Sequence, residues 1–125
     1  MAKIALFLIL SVLASPAIAQ RVEAKLDCKF TGTDFVYDCV IRLSRGGAPL
    51  SGAQVSVRAD MPSMPMAHSV KPVKAAPGKA PGEYRARLDL EMRGEWTVKL
   101  RISGPLRDQL ILHYDFTEFG TAPRK

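Results

Sequence analysis

The protein is 125 residues long, carries a formal net charge of +6 and has a hydrophobic fraction of 47%. A chain of this length has room for one small domain with a modest core, which excludes a multidomain architecture. The basic residues are spread along the chain and form no single run, which excludes a basic nucleic-acid-binding tail. We expect at most weak attraction to an anionic membrane surface or to an acidic partner protein.

The N-terminus has the layout of a secretory signal peptide. Lys3 precedes an apolar run from Ile4 to Ala14, and small residues follow at Ala17 and Ala19. The run is shorter than the roughly 20 residues that a membrane span needs. We therefore predict cleavage before Gln20 and a periplasmic or secreted mature chain of one domain, residues 20–125. An uncleaved N-terminal anchor is the alternative. An exported protein rarely meets nucleic acid, so no nucleic-acid partner is expected.

Apolar and polar residues alternate with a period of two through most of the mature chain. This pattern is typical of strands with one buried and one wet face. The apolar series run over residues 22–30, 35–43, 55–59, 84–90, 96–102 and 110–116, and turn-rich segments separate most of them. Short strands at this spacing predict an all-β fold, an immunoglobulin-like antiparallel β-sandwich of about seven strands.

The two cysteines fall on the apolar phase of the first two predicted strands. With a turn near Gly32–Asp34, Cys28 and Cys39 lie opposite each other on adjacent strands. We predict a buried disulfide that sets the register of this hairpin. A thiolate metal pair is the alternative, but ten intervening residues is not a usual metal-ligand spacing.

The stretch DMPSMPMAHS, residues 60–69, holds three of the five methionines. Prolines at positions 62 and 65 are incompatible with a regular helix or a central strand. We therefore predict a stiffened loop between the strand that ends at Ala59 and the strand that begins near Glu83, over Asp60–Pro77.

Thioethers are neutral, soft ligands that suit Cu(I), and an imidazole adds a stronger donor. We interpret Met61, Met64, Met66 and His68 as candidate Cu(I) ligands. Met92 is a candidate extra ligand, because connections gather at the two ends of a sandwich. The alternative is packing, since methionine fills irregular gaps in cores. His113 lies on the wet phase of a strand and is expected to be merely exposed.

Catalysis is not expected from this chain. The sequence contains no Ser/His/Asp arrangement, no pair of carboxylates placed for acid–base chemistry and no phosphate-cradling loop.

Three motifs together resemble the YtkA-like/FixH-like family of exported β-sandwich domains. They are the DMPSMPMAHS loop, the strand start PGEY at 81–84 and the strand start MRGEW at 92–96. The resemblance runs from Gly46 to Phe116 and implies an immunoglobulin-like fold. It also implies a role in copper handling, including copper delivery to respiratory oxidases or their assembly.

Carried onto this chain, the family's Met/His loop corresponds to Met61, Met64, Met66 and His68, and its methionine before Gly-x-Trp corresponds to Met92. The implied partner is a copper-receiving protein or a membrane respiratory protein. The alternative function is a non-metal exported interaction module that docks on a membrane respiratory complex. The oligomeric state does not follow from either interpretation.

Overall fold

The computed structural model of the protein describes residues 21–64 and 66–124. The predicted signal peptide, residues 1–19, lies outside this part of the chain. Within the described ranges, no helix is both long enough and apolar enough to cross a membrane.

The described strands pair into two antiparallel sheets that pack face to face. In chain order they are β1 (Val22–Phe30), β2 (Val36–Arg45), β3 (Ala48–Pro49), β4 (Gln54–Asp60), β5 (Ser69–Lys74), β6 (Ala76–Pro77), β7 (Glu83–Asp89), β8 (Gly94–Ser103), β9 (Asp108–Thr117) and β10 (Gly120–Pro123). The first sheet has the order β1-β2-β7-β6, with β3 paired to β2. The second has the order β10-β9-β8-β4-β5. The predicted all-β sandwich of immunoglobulin-like type is confirmed.

The predicted extent of the methionine loop, Asp60–Pro77, is wrong. Strand β5 occupies Ser69–Lys74 and pairs with β4. The apolar alternation that marks the other long strands is broken in β5, because Pro72 lies next to a register shift opposite the end of β4. Only Val70 and Val73 then face inward at irregular spacing, as expected for a bulged strand. The loop itself is residues 61–68.

The core lies between the two sheets, and its largest fully buried side chains include Trp96, Tyr37 and Phe116. The rings of Tyr37 and Phe116 meet edge to face, with centroids 5.1 Å apart. Burial raises the pKa of the Tyr37 hydroxyl above its ordinary value. The hydroxyl therefore stays protonated, and it donates a hydrogen bond of 2.8 Å to the carbonyl of Thr117. This bond links the first sheet to the second.

The predicted disulfide is present in the first hairpin. Cys28 and Cys39 are direct partners in the β1–β2 register, and their sulfur atoms are bonded at 2.07 Å. The two residues are 1% and 2% exposed. The bridge is therefore a buried cross-strand link inside the core.

Replacing both cysteines with alanine is expected to lower the free energy of unfolding by about 2–3 kcal/mol, because the short loop is no longer closed in the unfolded chain. Urea denaturation of the oxidised protein and of the Cys28→Ala/Cys39→Ala variant measures the loss. The reduced wild-type protein is the matched control, since it has the same open chain with both sulfur atoms kept. Equal unfolding midpoints for all three samples would contradict the prediction.

Candidate metal centre

The loop of residues 61–68 continues the β4–β5 pairing beyond the ends of both strands. The last register pair is Asp60 with Ser69, and the Met61 N–H then donates to the His68 carbonyl at 3.1 Å. Inside the loop, the Met64 N–H donates to the Met61 carbonyl, and the N–H groups of Ala67 and His68 both donate to the Met64 carbonyl. These hydrogen bonds close two tight turns, and the bond between Met61 and His68 anchors both ends of the loop to the β4–β5 ladder.

The three loop methionines differ in exposure. Met61 is 5% exposed and belongs to the core, so the packing interpretation holds for this residue. Met64 is 40% exposed and Met66 is 96% exposed. Neither Met64 nor Met66 belongs to the core or to the side chains packed against it, and Met66 is almost wholly exposed.

His68 lies beside Met61, since the two are backbone partners at the base of the loop. Its Nδ1 atom is 3.2 Å from Oε2 of Glu91. A carboxylate only accepts hydrogen bonds, so in the neutral imidazole this contact places the ring proton on Nδ1 and the lone pair on Nε2. Metal-binding histidines in proteins are commonly oriented by such a carboxylate.

Sequence reasoning missed Glu91. A single glutamate in a strand connection has no spacing pattern of its own. The one signal was its position immediately before Met92, the first residue of the MRGEW motif. The backbone at Glu91 has φ of 67°, a left-handed conformation that non-glycine residues rarely adopt and that costs energy. This conformation is part of the turn that carries its carboxylate to His68.

The connection between β7 and β8, residues 90–93, lies against the loop together with Gly94, the first residue of β8, and is held by several hydrogen bonds. The Leu90 N–H donates to the Phe35 carbonyl at 3.1 Å, and the Trp96 indole donates to the Met92 carbonyl at 3.1 Å. Gly94 has φ of 130°, and a Cβ atom added there would lie 3.4 Å from Cε of Met61. We call the end of the sandwich that carries residues 61–68 and 90–94 the methionine end.

The structure brings most of the predicted site residues to the methionine end. Met61 and His68 contact the connection through Gly94 and Glu91, and Met92 lies in that connection, partly buried against the core. Met64 and Met66 project from the loop towards solvent. His113 is exposed on β9, where Nδ1 lies 3.3 Å from the Thr97 hydroxyl.

The donors at the methionine end are thioethers with a single imidazole. Among residues 21–64 and 66–124, no three side chains of His, Cys, Asp or Glu are grouped so that they could hold a metal ion. Neutral sulfur donors with one nitrogen fit a soft monovalent ion such as Cu(I), and they are poor ligands for Ca²⁺ or Mg²⁺. The thioethers of Met64 and Met66 are exposed to solvent, and the His68 side chain is 28% exposed.

The sequence matches a known protein family. A family model described as YtkA-like matches residues 29–101. The chain belongs to the YtkA-like family. No curated protein and no solved structure matches it. The matched part of this YtkA-like protein runs from the end of β1 into β8 and contains the whole methionine end. Cys39 lies within the matched residues and Cys28 precedes them by one position.

Proposed function

We propose that this YtkA-like protein binds Cu(I) at the methionine end and carries it outside the cytoplasm. The observation that supports the proposal is the exposure of Met64 and Met66 beside His68. These are soft donors that the fold does not use for packing. His68 supplies Nε2, which its contact with Glu91 leaves free. Met61, which is buried, and Met92, which is partly buried, are the other two candidate thioethers at this end.

An oxidising compartment supports this choice of ligands. The Cys28–Cys39 disulfide is a feature of exported proteins, and it agrees with the predicted signal peptide and a periplasmic location. In such a compartment, thiolate ligands are lost to disulfide formation, whereas thioethers keep their affinity for Cu(I) without deprotonation. We therefore propose a binding protein, a chaperone or a copper-tolerance factor, and no catalytic activity.

Transfer to a partner suits the same geometry. Met66 is almost fully exposed, and the His68 side chain is 28% exposed, so a metal held there is within reach of ligands from a second protein. The proposed acceptor is a copper-receiving protein or a membrane respiratory protein, as the family resemblance implies.

The test is a competitive Cu(I) titration of residues 20–125 against a chromophoric chelator. The wild-type protein is expected to bind one Cu(I) per chain, and the Met64→Leu/Met66→Leu variant is expected to lose this binding. Both substitutions are on the surface and keep side-chain volume, so the change in stability should stay within about 0.5 kcal/mol. Circular dichroism and thermal unfolding of the variant serve as the fold control.

Single Met61→Leu and Met92→Leu variants show whether the inner thioethers take part. Leucine repacks well in place of methionine, so lost affinity in a folded variant identifies a ligand. Binding of Cu(I) that survives loss of both Met64 and Met66 would refute the proposed site.

A second candidate function follows from the same exposure. A flexible, polarisable methionine at 96% exposure is also an adaptable apolar contact for another protein. In that case the protein is a non-metal module that docks on a membrane respiratory complex. Wild-type protein that fails to bind Cu(I) in the titration would favour this candidate.

A further inference from the structure

The outer face of the first sheet carries equal numbers of positive and negative side chains. Its outward positions on β1, β2 and β7 carry five cations, namely Lys25, Lys29, Arg42, Arg85 and Arg87. They also carry five carboxylates, namely Glu23, Asp27, Asp38, Glu83 and Asp89. Arg87 bonds to Asp38 at 2.8 Å and holds the pKa of that carboxyl below its ordinary value. This face therefore does not account for the positive charge of the chain.

The carboxylates on the outer face of the second sheet are gathered near the methionine end, and all three have cationic partners. Asp60 pairs with Lys99 at 3.1 Å. Glu95 and Asp115 both pair with Arg124, at 2.7 Å and 3.4 Å. The acidic groups of this face are thus already neutralised within the sheet.

The far half of the same face carries exposed cations without such partners. Arg58, Lys74 and Arg101 are exposed on β4, β5 and β8. Among the described residues, no ion pair within 4.0 Å includes any of them. Arg58 stands directly opposite Lys99 in the register, and Ser56 stands between Lys74 and Arg101. Like charges on neighbouring strands repel each other, so the sheet itself gains nothing from this arrangement.

Two shallow clefts flank Arg101. One has a volume of about 280 Å³ and adds Lys74, Ser56 and Gln54 to its lining. The other has a volume of about 390 Å³ and adds Arg107 and Gln109. Asp108 also lines this second cleft, where its Oδ1 accepts the Gln109 N–H at 2.8 Å. The two linings combine guanidinium, ammonium, hydroxyl and amide groups. Such hydrogen-bond donors bind phosphate oxygens.

We propose that this half of the second sheet, centred on Arg58, Lys74 and Arg101, docks the protein on an anionic phospholipid surface. The face is complementary in charge to phosphate headgroups, and attraction to a lipid surface acts through charge without a matching shape. Its one large exposed hydrophobic side chain among the described residues is Ile111, at 57%. Aromatic side chains are prominent among the hot spots of protein–protein interfaces, and this face exposes no large aromatic side chain among those residues.

The test is co-sedimentation of residues 20–125, which include both sheets and the core, with vesicles of known lipid. Binding is expected to vesicles that contain phosphatidylglycerol and not to pure phosphatidylcholine. It should weaken strongly between about 0.1 M and about 1 M salt, as the Debye length falls from ~10 Å to ~3 Å. The variant Arg58→Gln/Lys74→Gln/Arg101→Gln is expected to bind phosphatidylglycerol on the order of 100-fold more weakly.

The matched control is Lys25→Gln/Arg42→Gln/Arg85→Gln, which removes three exposed cations from the balanced face. It should keep most of the vesicle binding, because only the position of the lost charge differs. Equal losses in the two variants would overturn the proposal, since net charge alone would then explain binding. Absence of binding to phosphatidylglycerol would also overturn it. So would wild-type protein that is retained on a polyglutamate resin but not by vesicles, because the occupant would then be an acidic protein.

Discussion

The Trp96→Ala variant is expected to lose about 4 kcal/mol of the free energy of unfolding. Trp96 is fully buried and belongs to the core between the two sheets. Its removal costs the transfer free energy of the indole and leaves a cavity that the surrounding strands fill only in part. A loss of this size is a large fraction of the stability of a small domain. Urea denaturation followed by circular dichroism measures it, because the variant lacks the chain's one tryptophan.

A Trp96→Phe variant separates packing from the hydrogen bond. Phenylalanine keeps much of the apolar volume but lacks the indole N–H that donates to the Met92 carbonyl. The unpaired carbonyl costs about 1–3 kcal/mol, so this variant should fall between the wild type and Trp96→Ala. If Trp96→Phe and Trp96→Ala lose the same free energy of unfolding, the volume of the side chain is unimportant, contrary to the prediction.

The Gly82→Ala variant is expected to lose about 3 kcal/mol, for a reason that involves the backbone. Gly82 has φ of +74°, where a non-glycine residue is strained. A Cβ atom there would also lie 2.7 Å from the Leu43 carbonyl oxygen and 2.9 Å from Cβ of Pro49. Leu43 is held in place, because its N–H donates to the Gly82 carbonyl at 2.8 Å and its carbonyl accepts the Leu50 N–H at 2.9 Å. Pro49 is held by the pairing of β3 with β2. The added methyl group therefore adds steric strain to the cost of the left-handed conformation.

Gly32→Ala is the matched control for Gly82→Ala. Gly32 has a similar φ of +86°, but a Cβ atom there would meet nothing within 4 Å. This variant should lose only the conformational cost, about 1–2 kcal/mol. The difference between the two unfolding free energies measures the close contact. If the two variants lose the same free energy of unfolding, the contact of the added Cβ atom with Leu43 must be relieved by a small shift of the strands.

Most of the fold follows from the alternation of apolar and polar residues, because a strand with one buried face has a period of two. The predicted pairing of Cys28 with Cys39 followed from the same phase and from one short turn. Strand β5 was not predicted, because its bulge and Pro72 hide the alternation. Strand β10 was not predicted either, because it is a short segment, GTAP, with little apolar content. It joins the second sheet as a hairpin with β9, and the bond from the Cys28 N–H to the Thr121 hydroxyl ties it to the first sheet.

The residues of the candidate site were predictable, but their arrangement was not. Soft donors in a proline-rich stretch are visible in the sequence. The burial of Met61 and the contact of His68 with Glu91 depend on how two separate connections meet at one end of the sandwich. Ligand chemistry can therefore be inferred from residue types, whereas the orientation of a ligand requires the tertiary structure.

Two of the three motifs that resemble the family have a structural explanation. In PGEY, Gly82 avoids the Leu43 carbonyl, and the Tyr84 hydroxyl donates to the Leu50 carbonyl at 2.8 Å. In MRGEW, Gly94 has a φ of 130°, which favours glycine, and Trp96 fills the core. Packing does not explain the exposed methionines of the third motif. The loop is therefore the part of the resemblance that bears on function.

The uneven exposure of the loop methionines has a consequence for oxidative damage. Peroxide or hypochlorous acid converts an accessible thioether to a sulfoxide, which is polar and no longer a soft ligand. Met66 at 96% exposure and Met64 at 40% would react before Met61 at 5%. Because the first two lie outside the core, their oxidation would remove two of the proposed copper ligands without unfolding the sandwich. Methionine sulfoxide reductases reverse this reaction, so the proposed copper binding would follow the balance between oxidant and repair.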